Sequence, residues 1–310
     1  MIAPQITFDS ADPLLNWQDI AKSIEDGHSF PKAEIRDSFT KRADDTLLLR
    51  SAWIDGMGIG VKAATIFPEN AEHGQPTVNG GMMLFADLTG TMEAVVDFHL
   101  VTKWKTAGDS LLAAQKLARK DSKTMLILGA GNVAETLVSA YSSEFPDLKF
   151  VIWSRRRESA QTFVTQLGDH ADLSVAGDLK QAVHDADIIA SATMSTEPLI
   201  KGEWLREGQH LDLIGAYRPD MREADDKALQ RASIFVDSRE TTLPHIGELL
   251  VPLKTGAIRA GDVLADYYDI KDGLFERSSA QEITLFKNGG GAHLDLMTAK
   301  AILQIWLAAQ

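Results

Sequence analysis

The chain has 310 residues, of which 45% are hydrophobic and 24% are charged, and its formal net charge is −13. This composition is typical of a soluble globular protein with one large or two ordinary domains. The negative charge disfavours nucleic acid as a general partner, and the absence of cysteine excludes disulfides and thiolate chemistry. No apolar run is long enough for a membrane span, and the N-terminus lacks a signal-peptide pattern. We therefore expect a cytoplasmic protein without membrane contact.

The first third of the chain predicts a helix followed by a sheet. Residues 12–27 carry apolar side chains at helical spacing behind an aspartate–proline start. Four β-type runs follow between residues 46 and 100, separated by turns and not by helices. Such a section indicates a largely antiparallel sheet. Residues 101–120 then form a strongly helical segment.

The stretch 123–157 has the order of a dinucleotide-binding unit. A short apolar run, Thr124–Leu128, predicts a buried parallel strand, and a glycine turn, a helix and a second strand follow it. Gly129 permits the tight turn, and Gly131 lets the backbone approach a pyrophosphate at the helix N-terminus. The predicted cofactor contacts in this turn are Gly129, Ala130, Gly131, Asn132 and Val133. Thr193 and Met194, at the end of a later predicted strand, are further predicted contacts.

The end of the second strand indicates which cofactor is bound. NAD enzymes usually place a carboxylate there for the ribose 2′-hydroxyl, whereas NADP enzymes use arginine for the 2′-phosphate. This chain has Ser154, Arg155 and Arg156, and no acid before Glu158. Hydroxyl and guanidinium groups suit a phosphate dianion. We therefore predict NADPH as the cofactor, with NADH possible.

After residue 157 the chain alternates between helices and strands. Strands are predicted at residues 187–193, 210–214, 233–236 and 282–287, with helices or mainly helical segments between them. A final amphipathic helix starts near residue 292. This alternation predicts an α/β fold with a Rossmann-type, doubly wound parallel sheet, joined to an α+β domain that contains the largely antiparallel sheet.

Three cationic residues stand where apolar or small residues are expected. Arg50 interrupts LLLRSAW, Lys62 interrupts GIGVKAATIF, and Lys105 lies in KWKTAG. A buried cation without a partner is costly, so each requires an anion from the protein or from a ligand. Three together favour binding of a carboxylate, although a single strand lysine more often faces solvent at a sheet edge.

Several motifs occur in an order that resembles the ornithine cyclodeaminase/μ-crystallin family, from about residue 32 to residue 308. They are GIGVKAATIFPEN, HGQPTVNGGMMLFADLTGTMEAVVDFHLVTKWKTAGDSLLAAQKLAR, LILGAGNVA, GAYRPDMRE and LFKNGGGAHLDL. The resemblance implies a substrate-binding and dimerisation domain, residues 1–118 and 289–310, around a Rossmann NAD(P) domain, residues 119–288. It also implies a homodimer.

The resemblance assigns roles to individual residues. The family's substrate-carboxylate cations match Arg50, Lys62 and Lys105, although the family usually has arginine at the last position. Lys32 matches a cation that some members place near the substrate. Ornithine cyclodeaminases carry a catalytic aspartate where this chain has Tyr217, which at neutral pH is neither charged nor an effective base. Cyclisation of ornithine with loss of ammonia is therefore doubtful.

WKTAGDS, GAYRPDMRE and GGGAHLDLM are most similar to the subgroup that reduces Δ1-pyrroline-2-carboxylate to L-proline. The implied activity is hydride transfer from NADPH to the C=N bond of this small imino acid or a related cyclic ketimine. Lys62 and His293 are the candidate catalytic residues, and the ring nitrogen is protonated either beforehand in solution or by one of these two. No cluster of His, Asp and Glu has metal-ligand spacing, so no metal is expected.

Three alternatives remain open from the sequence. The first is ornithine cyclodeaminase, an NAD-dependent lyase. The second is a dehydrogenase of alanine or of an N-alkyl amino acid. The third is a non-catalytic, crystallin-type protein that binds NADPH, which the complete set of cations disfavours.

Overall fold

The computed structural model describes residues 3–310, except for the side chains of residues 71 and 169. In this range the strands, numbered in chain order, are β1 Gln5–Ile6, β2 Glu34–Arg42, β3 Asp45–Ile54, β4 Gly58–Ile66, β5 Val78–Phe85, β6 Met92–Asp97, β7 Thr124–Leu128, β8 Lys149–Trp153, β9 Leu173–Val175, β10 Ile188–Ser191, β11 His210–Leu213, β12 Ser233–Val236, β13 Val263–Ala265 and β14 Thr284–Lys287.

The α-helices of the same range are α1 Phe8–Ala11, α2 Trp17–Gly27, α3 Phe98–Leu117, α4 Asn132–Glu144, α5 Arg157–Leu167, α6 Leu179–Asp185, α7 Asp226–Arg231, α8 Arg239–Thr242, α9 Gly247–Thr255 and α10 Ala292–Ala308. The chain divides into two compact units. The first extends to Gly108 and resumes with Gly291–Gln310, and the second is Asp109–Gly290.

The first unit contains a six-stranded sheet in the order β1-β6-β5-β4-β3-β2. All neighbours are antiparallel except β1 and β6, which are parallel, so the predicted largely antiparallel sheet is confirmed. Side chains alternate between the two faces of each strand. In β4 the residues Gly60, Lys62 and Ala64 are therefore buried, and the residues between them are partly exposed. Lys62 thus points into the unit and not to solvent.

Two expectations for this unit need correction. The helix expected over residues 12–27 begins as a 3-10 turn, Asp12–Leu14, and becomes α-helical only after Asn16, whose side chain accepts a hydrogen bond from the Asp19 amide. The final helix α10 is not amphipathic in its first three turns, because nearly every residue from 292 to 303 is buried. A helix that is buried all round belongs to a core.

The second unit contains an eight-stranded sheet in the order β13-β12-β14-β11-β10-β7-β8-β9, in which every neighbouring pair is parallel. Its central strands are continuous apolar runs, and Leu126, Ile189, Leu211 and Leu285 are completely buried. Such strands require helices on both faces of the sheet. The predicted doubly wound sheet is confirmed.

The order of strands defines where a ligand can bind in this unit. From β7 the chain proceeds outward to β8 and β9 on one side, and β10 and β11 lie on the other side of β7. In doubly wound folds ligands bind at the carboxyl ends of the strands at this switch point. Among the described residues, no helix is both long and apolar enough to cross a bilayer.

Candidate active site

The first unit gathers a cation cluster, defined here as Arg50, Lys62 and Lys105. Arg50 on β3 and Lys62 on β4 are directly opposed in the antiparallel register, so their side chains leave the same face of the sheet. Lys105 comes from α3. Lys62 is 7% exposed and Lys105 is 8% exposed. Two of the three cations therefore lie in the interior of this unit.

The protein balances two of these cations. Arg50 Nη2 lies 2.8 Å from Asp37 Oδ2, and Lys62 Nζ lies 2.8 Å from Asp295 Oδ1 on α10. Lys62 Nζ also donates to Thr102 Oγ1 at 2.9 Å. Among the residues whose side chains the structure describes, Lys105 makes no hydrogen bond or ion pair. Since a buried, unbalanced cation is unfavourable, this arrangement is suited to receive an anion.

Burial and charge oppose each other at the Lys62–Asp295 pair. Burial lowers the pKa of Lys62 below its ordinary value, and Lys105 and Arg50 act in the same direction, whereas Asp295 raises it. Burial would raise the pKa of Asp295, but the positive charges of Lys62, Lys105 and Arg50 hold it below its ordinary value. Asp295 is therefore a carboxylate at neutral pH.

His293 and Lys32 lie in the electrostatic surroundings of the same cluster. His293 is completely buried at the start of α10, with its ring 5.4 Å from that of His28 in an edge-to-face arrangement. Burial lowers the pKa of His293 well below its usual range, and the charges of Lys105, Arg50 and Lys32 add to this. A neutral imidazole can donate a hydrogen bond but is not charged in advance as an acid. Lys32 is exposed.

The second unit presents the dinucleotide loop, defined here as residues 129–133, between β7 and α4. Gly129 has a φ of 123°, and a Cβ there would lie 2.8 Å from the Ala192 carbonyl oxygen, so only glycine fits. At Gly131, the N-cap of α4, a Cβ would meet no atom within 4 Å. The backbone beside Ala130, Asn132 and Val133 is thus open at a helix N-terminus, which fits a pyrophosphate.

Ser154, Arg155 and Arg156 lie between β8 and α5. The Ser154 hydroxyl donates to the Arg156 carbonyl oxygen at 2.5 Å, which fixes the turn. Both arginines are exposed. A cavity of about 560 Å³ lies beside this turn. Its lining residues are Ala130, Arg156, Glu158, Ser159, Thr162, Phe163 and Gln166.

Thr193 and Met194 follow β10, and they differ in exposure. Met194 is 68% exposed, whereas Thr193 is held by the buried carboxylate of Glu223. Glu223 Oε1 accepts from Ser191 Oγ at 2.5 Å and from both the amide and the hydroxyl of Thr193 at 2.9 Å, and its Oε2 accepts from the Ala216 amide at 3.0 Å. One carboxylate therefore joins the loops that follow β10 and β11.

A second buried carboxylate supports this arrangement. Glu248 on α9 accepts the backbone amides of Glu223 at 2.6 Å and of Ala224 at 3.1 Å. Burial, reinforced by the negative charge of Glu223, raises the pKa of Glu248 to about 7. Tyr217 lies just beyond Ala216 and is 56% exposed.

Asp37, Asp295 and Glu223 were missed by the sequence reasoning. Asp37 lies in a strand of largely polar sequence, and Asp295 is remote in sequence from the lysine that it contacts. Glu223 resembled one acid among several in the run MREADD. A signal was available for Asp295: an acid within an otherwise apolar helix requires a partner. Among the side chains that the structure describes, no group of His, Asp or Glu is arranged to hold a metal ion.

Known proteins resemble this chain over nearly its whole length. Residues 22–310 match the ornithine cyclodeaminase/mu-crystallin family. A Delta(1)-pyrroline-2-carboxylate reductase of Paracoccus denitrificans (strain Pd 1222) is 50% identical over 307 residues, covering 98% of this chain and 97% of that protein. The Thermococcus litoralis Delta(1)-pyrroline-2-carboxylate reductase in complex with NADH and L-proline has a TM-score of 0.89 and 26% identity, covering 99% of this chain and 98% of that one. An archaeal alanine dehydrogenase dimer with bound NAD also has a TM-score of 0.89, with 28% identity and coverage of 99% and 97%.

The chain belongs to the ornithine cyclodeaminase/mu-crystallin family, as the motifs predicted. The predicted enzyme class, an oxidoreductase, is also confirmed at this level of identity to a reductase.

Proposed function

We propose that the protein is an NADPH-dependent imino-acid reductase that transfers hydride to the C=N bond of Δ1-pyrroline-2-carboxylate, or a related cyclic ketimine, to give L-proline or its homologue. The observation that carries this proposal is the cation cluster. Its three buried or half-buried cations face two protein carboxylates, and Lys105 has no ion-pair partner among the described residues. A substrate carboxylate would supply the missing charge. The 50% identical relative, which is named as such a reductase, supports the same substrate class.

The proposed mechanism uses the cluster to bind and orient the substrate. Lys105, together with Arg50, would hold the carboxylate, so that the planar imino acid is fixed and reaction at C2 is favoured by orientation. Lys62 would protonate the ring nitrogen, because its Nζ is buried against the Asp295 carboxylate, whereas burial lowers the pKa of His293 well below its usual range. His293 and Lys32 would complete the surroundings of the ring through hydrogen bonding and charge. A bound nicotinamide supplies the hydride.

For the cofactor we propose NADPH, with NADH as the weaker donor. The dinucleotide loop and the N-terminus of α4 would hold the pyrophosphate, and Thr193 and Met194 would border the nicotinamide side. Ser154, Arg155 and Arg156 would bind the 2′-phosphate. The two structurally similar enzymes contain NADH and NAD, so the NADP preference rests on these three residues alone.

We also propose that the protein is a homodimer through the sheet of the first unit. On the face opposite Arg50, β3 presents Leu47, Leu49 and Trp53, which are 38%, 39% and 49% exposed. Apolar surface of this kind on a β-sheet is typical of an interface. The archaeal alanine dehydrogenase is described as a dimer.

Ornithine cyclodeaminase is the second candidate, and the loop around Tyr217 does not favour it. The position that needs a catalytic carboxylate holds Tyr217, whose ring lies under the Arg218 guanidinium at 5.7 Å. Asp220, the nearest acid in the loop, is paired with that arginine at 3.0 Å. The reductase is therefore preferred.

The test is an initial-rate screen of NADPH and NADH oxidation with Δ1-pyrroline-2-carboxylate, its six-membered homologue, and pyruvate with ammonia or methylamine. We expect the cyclic imino acids with NADPH to give the highest kcat/KM. Turnover of pyruvate with an amine above that of the cyclic substrates would favour the amino-acid dehydrogenase instead. Release of ammonia from L-ornithine with NAD would overturn the proposal.

A further inference from the structure

Asp295 contacts the proposed acid directly, and the family resemblance gives it no role. Its side chain on α10 is 1% exposed, and its Oδ1 lies 2.8 Å from Lys62 Nζ. Its other oxygen, Oδ2, has no hydrogen-bond partner in the described part of the chain. A buried carboxylate with one oxygen unsatisfied is unfavourable unless it serves another group.

We propose that Asp295 is a positioning residue, which holds Lys62 Nζ in a fixed place and keeps it protonated so that Lys62 delivers the proton to the substrate nitrogen. This inference rests on the proposed function, in which Lys62 is the acid, and it adds a role for Asp295, which keeps Lys62 in place and protonated. Asp295 itself does not touch the reacting atoms.

The hydrogen bonds of Lys62 support this role. A lysine ammonium has three N–H donors. One donates to Asp295 Oδ1 at 2.8 Å and a second donates to Thr102 Oγ1 at 2.9 Å. The Thr102 hydroxyl itself donates to the Phe98 carbonyl oxygen, so its oxygen is available as an acceptor for Lys62. The Phe98 ring lies 4.6 Å from Nζ. These contacts leave one N–H of Lys62 for a ligand.

The charges around Lys62 show why it needs Asp295. Arg50 on β3 and Lys105 on α3 are both positive and both lower the pKa of Lys62, as burial does. Asp295 on α10 raises it, through its charge and its hydrogen bond. Without this carboxylate the ammonium would lose its proton at a lower pH, so Lys62 would act as an acid over a narrower pH range.

The proton balance of the step is simple. As C2 gains the hydride, the electron pair of the C=N π bond moves to nitrogen and takes a proton from Lys62 Nζ, so a CH–NH unit forms. Lys62 is left as a neutral amine and regains a proton from water. Asp295 remains a carboxylate throughout.

The experiment compares the pH dependence of kcat for the wild type and Asp295→Asn with Δ1-pyrroline-2-carboxylate. We expect the alkaline limb of the variant to move to lower pH by about one to three units, because an opposite charge at this distance is removed. The ionisation of the free substrate does not enter kcat, which reports groups of the enzyme–substrate complex. An alkaline limb that stays within about 0.3 pH unit of the wild type would overturn the proposal.

Two further variants separate charge from contact. Glu93→Gln removes the same charge from the ion pair of Lys300, also on α10, and should leave the pH profile unchanged. Thr102→Val removes a neutral partner of Lys62 and should lower kcat without moving the alkaline limb. If Thr102→Val moves the limb as far as Asp295→Asn does, the charge of Asp295 is not the cause.

A second measurement avoids turnover. Pyrrole-2-carboxylate is a planar analogue without a basic nitrogen, and its binding by calorimetry should remain in Asp295→Asn, because the carboxylate is held by Arg50 and Lys105. If Asp295→Asn does not fold, Asp295→Glu is measured in its place. The glutamate keeps the negative charge but displaces Lys62 Nζ, so kcat should fall while the alkaline limb of its pH profile stays where it is in the wild type. A moved limb in this variant would contradict the proposal. A wild type that reduces no imino acid would refute the proposed function instead.

Discussion

Replacing Lys62 by methionine should lower both the stability of the protein and its catalytic rate. The change keeps an unbranched side chain but leaves Asp295, which is 1% exposed, as a buried charge without its partner. Breaking such a pair costs about 3–5 kcal/mol of unfolding free energy. The loss of a positioned acid should also lower kcat by about 100-fold or more.

The double variant Lys62→Met, Asp295→Asn tests this reasoning, because it removes both charges at once. Its unfolding free energy should exceed that of Lys62→Met by about 2 kcal/mol, since removing both members of a buried pair is cheaper than removing one. Its reductase activity should nevertheless stay lost. Urea unfolding gives the free energies, and NADPH oxidation and fluorescence titration give activity and cofactor affinity.

A matched control is Lys300→Met, which breaks the ion pair with Glu93 at a more exposed place on α10. Lys300→Met should lower the unfolding free energy by at most about 1 kcal/mol and leave kcat unchanged. Wild-type kcat in Lys62→Met would remove Lys62 from the mechanism. A Lys62→Met protein as stable as the wild type would refute the claim that its ion pair is a buried one.

Three other changes test the remaining proposals. The double variant Arg155→Asp, Arg156→Ala should lower the NADPH-to-NADH ratio of kcat/KM by about tenfold or more, because charge-assisted contacts to the 2′-phosphate are lost. An unchanged ratio would contradict the proposed 2′-phosphate site. Leu49→Asp should convert the proposed dimer to monomers in light scattering, and a persistent dimer would exclude this face as the interface. Glu223→Gln should loosen Thr193 and thereby weaken NADPH binding about tenfold, which corresponds to about 1.4 kcal/mol. An unchanged NADPH affinity in titrations would leave Glu223 with a purely structural role.

The parallel sheet could be predicted because its strands carry their own signal. Thr124–Leu128 and Ser233–Val236 are short apolar runs bounded by polar residues, and such runs are stable only when covered on both faces. The short strands Leu173–Val175 and Val263–Ala265 were missed. They have three residues each, and the pairing that makes them strands comes from neighbours that are distant in sequence.

The strand Glu34–Arg42 shows the opposite problem. Its sequence EIRDSFTKR is largely polar, and nearly all of its residues are exposed, so neither apolar content nor burial marks it as a strand. It forms because it pairs along its whole length with β3, at the edge of the sheet. Charged residues are common on such edges. Tertiary pairing has overridden local pattern here.

The candidate site was predictable for residues that violate their local pattern. Lys62 is a cation in an apolar strand, and Gly131 lies in a recognisable turn, so both could be chosen from sequence. Asp37 and Asp295 were not chosen, because their roles depend on cross-strand register and on a helix 233 positions away. A sequence shows which residue needs a partner, but the fold determines which partner it receives.

The acidity of the whole chain and the cationic character of the cluster are compatible for a physical reason. Exposed charges are screened beyond about 8 Å at physiological ionic strength. Lys62, Lys105 and Asp295 are almost completely buried, so their mutual interactions are screened much less than those of the surface acids that dominate the net charge of −13. The proposed recognition of a carboxylate in this site therefore depends on the local excess of one cation. The Lys62–Asp295 pair supplies no net charge, and its proposed contribution is to keep Lys62 protonated in a place where burial opposes protonation.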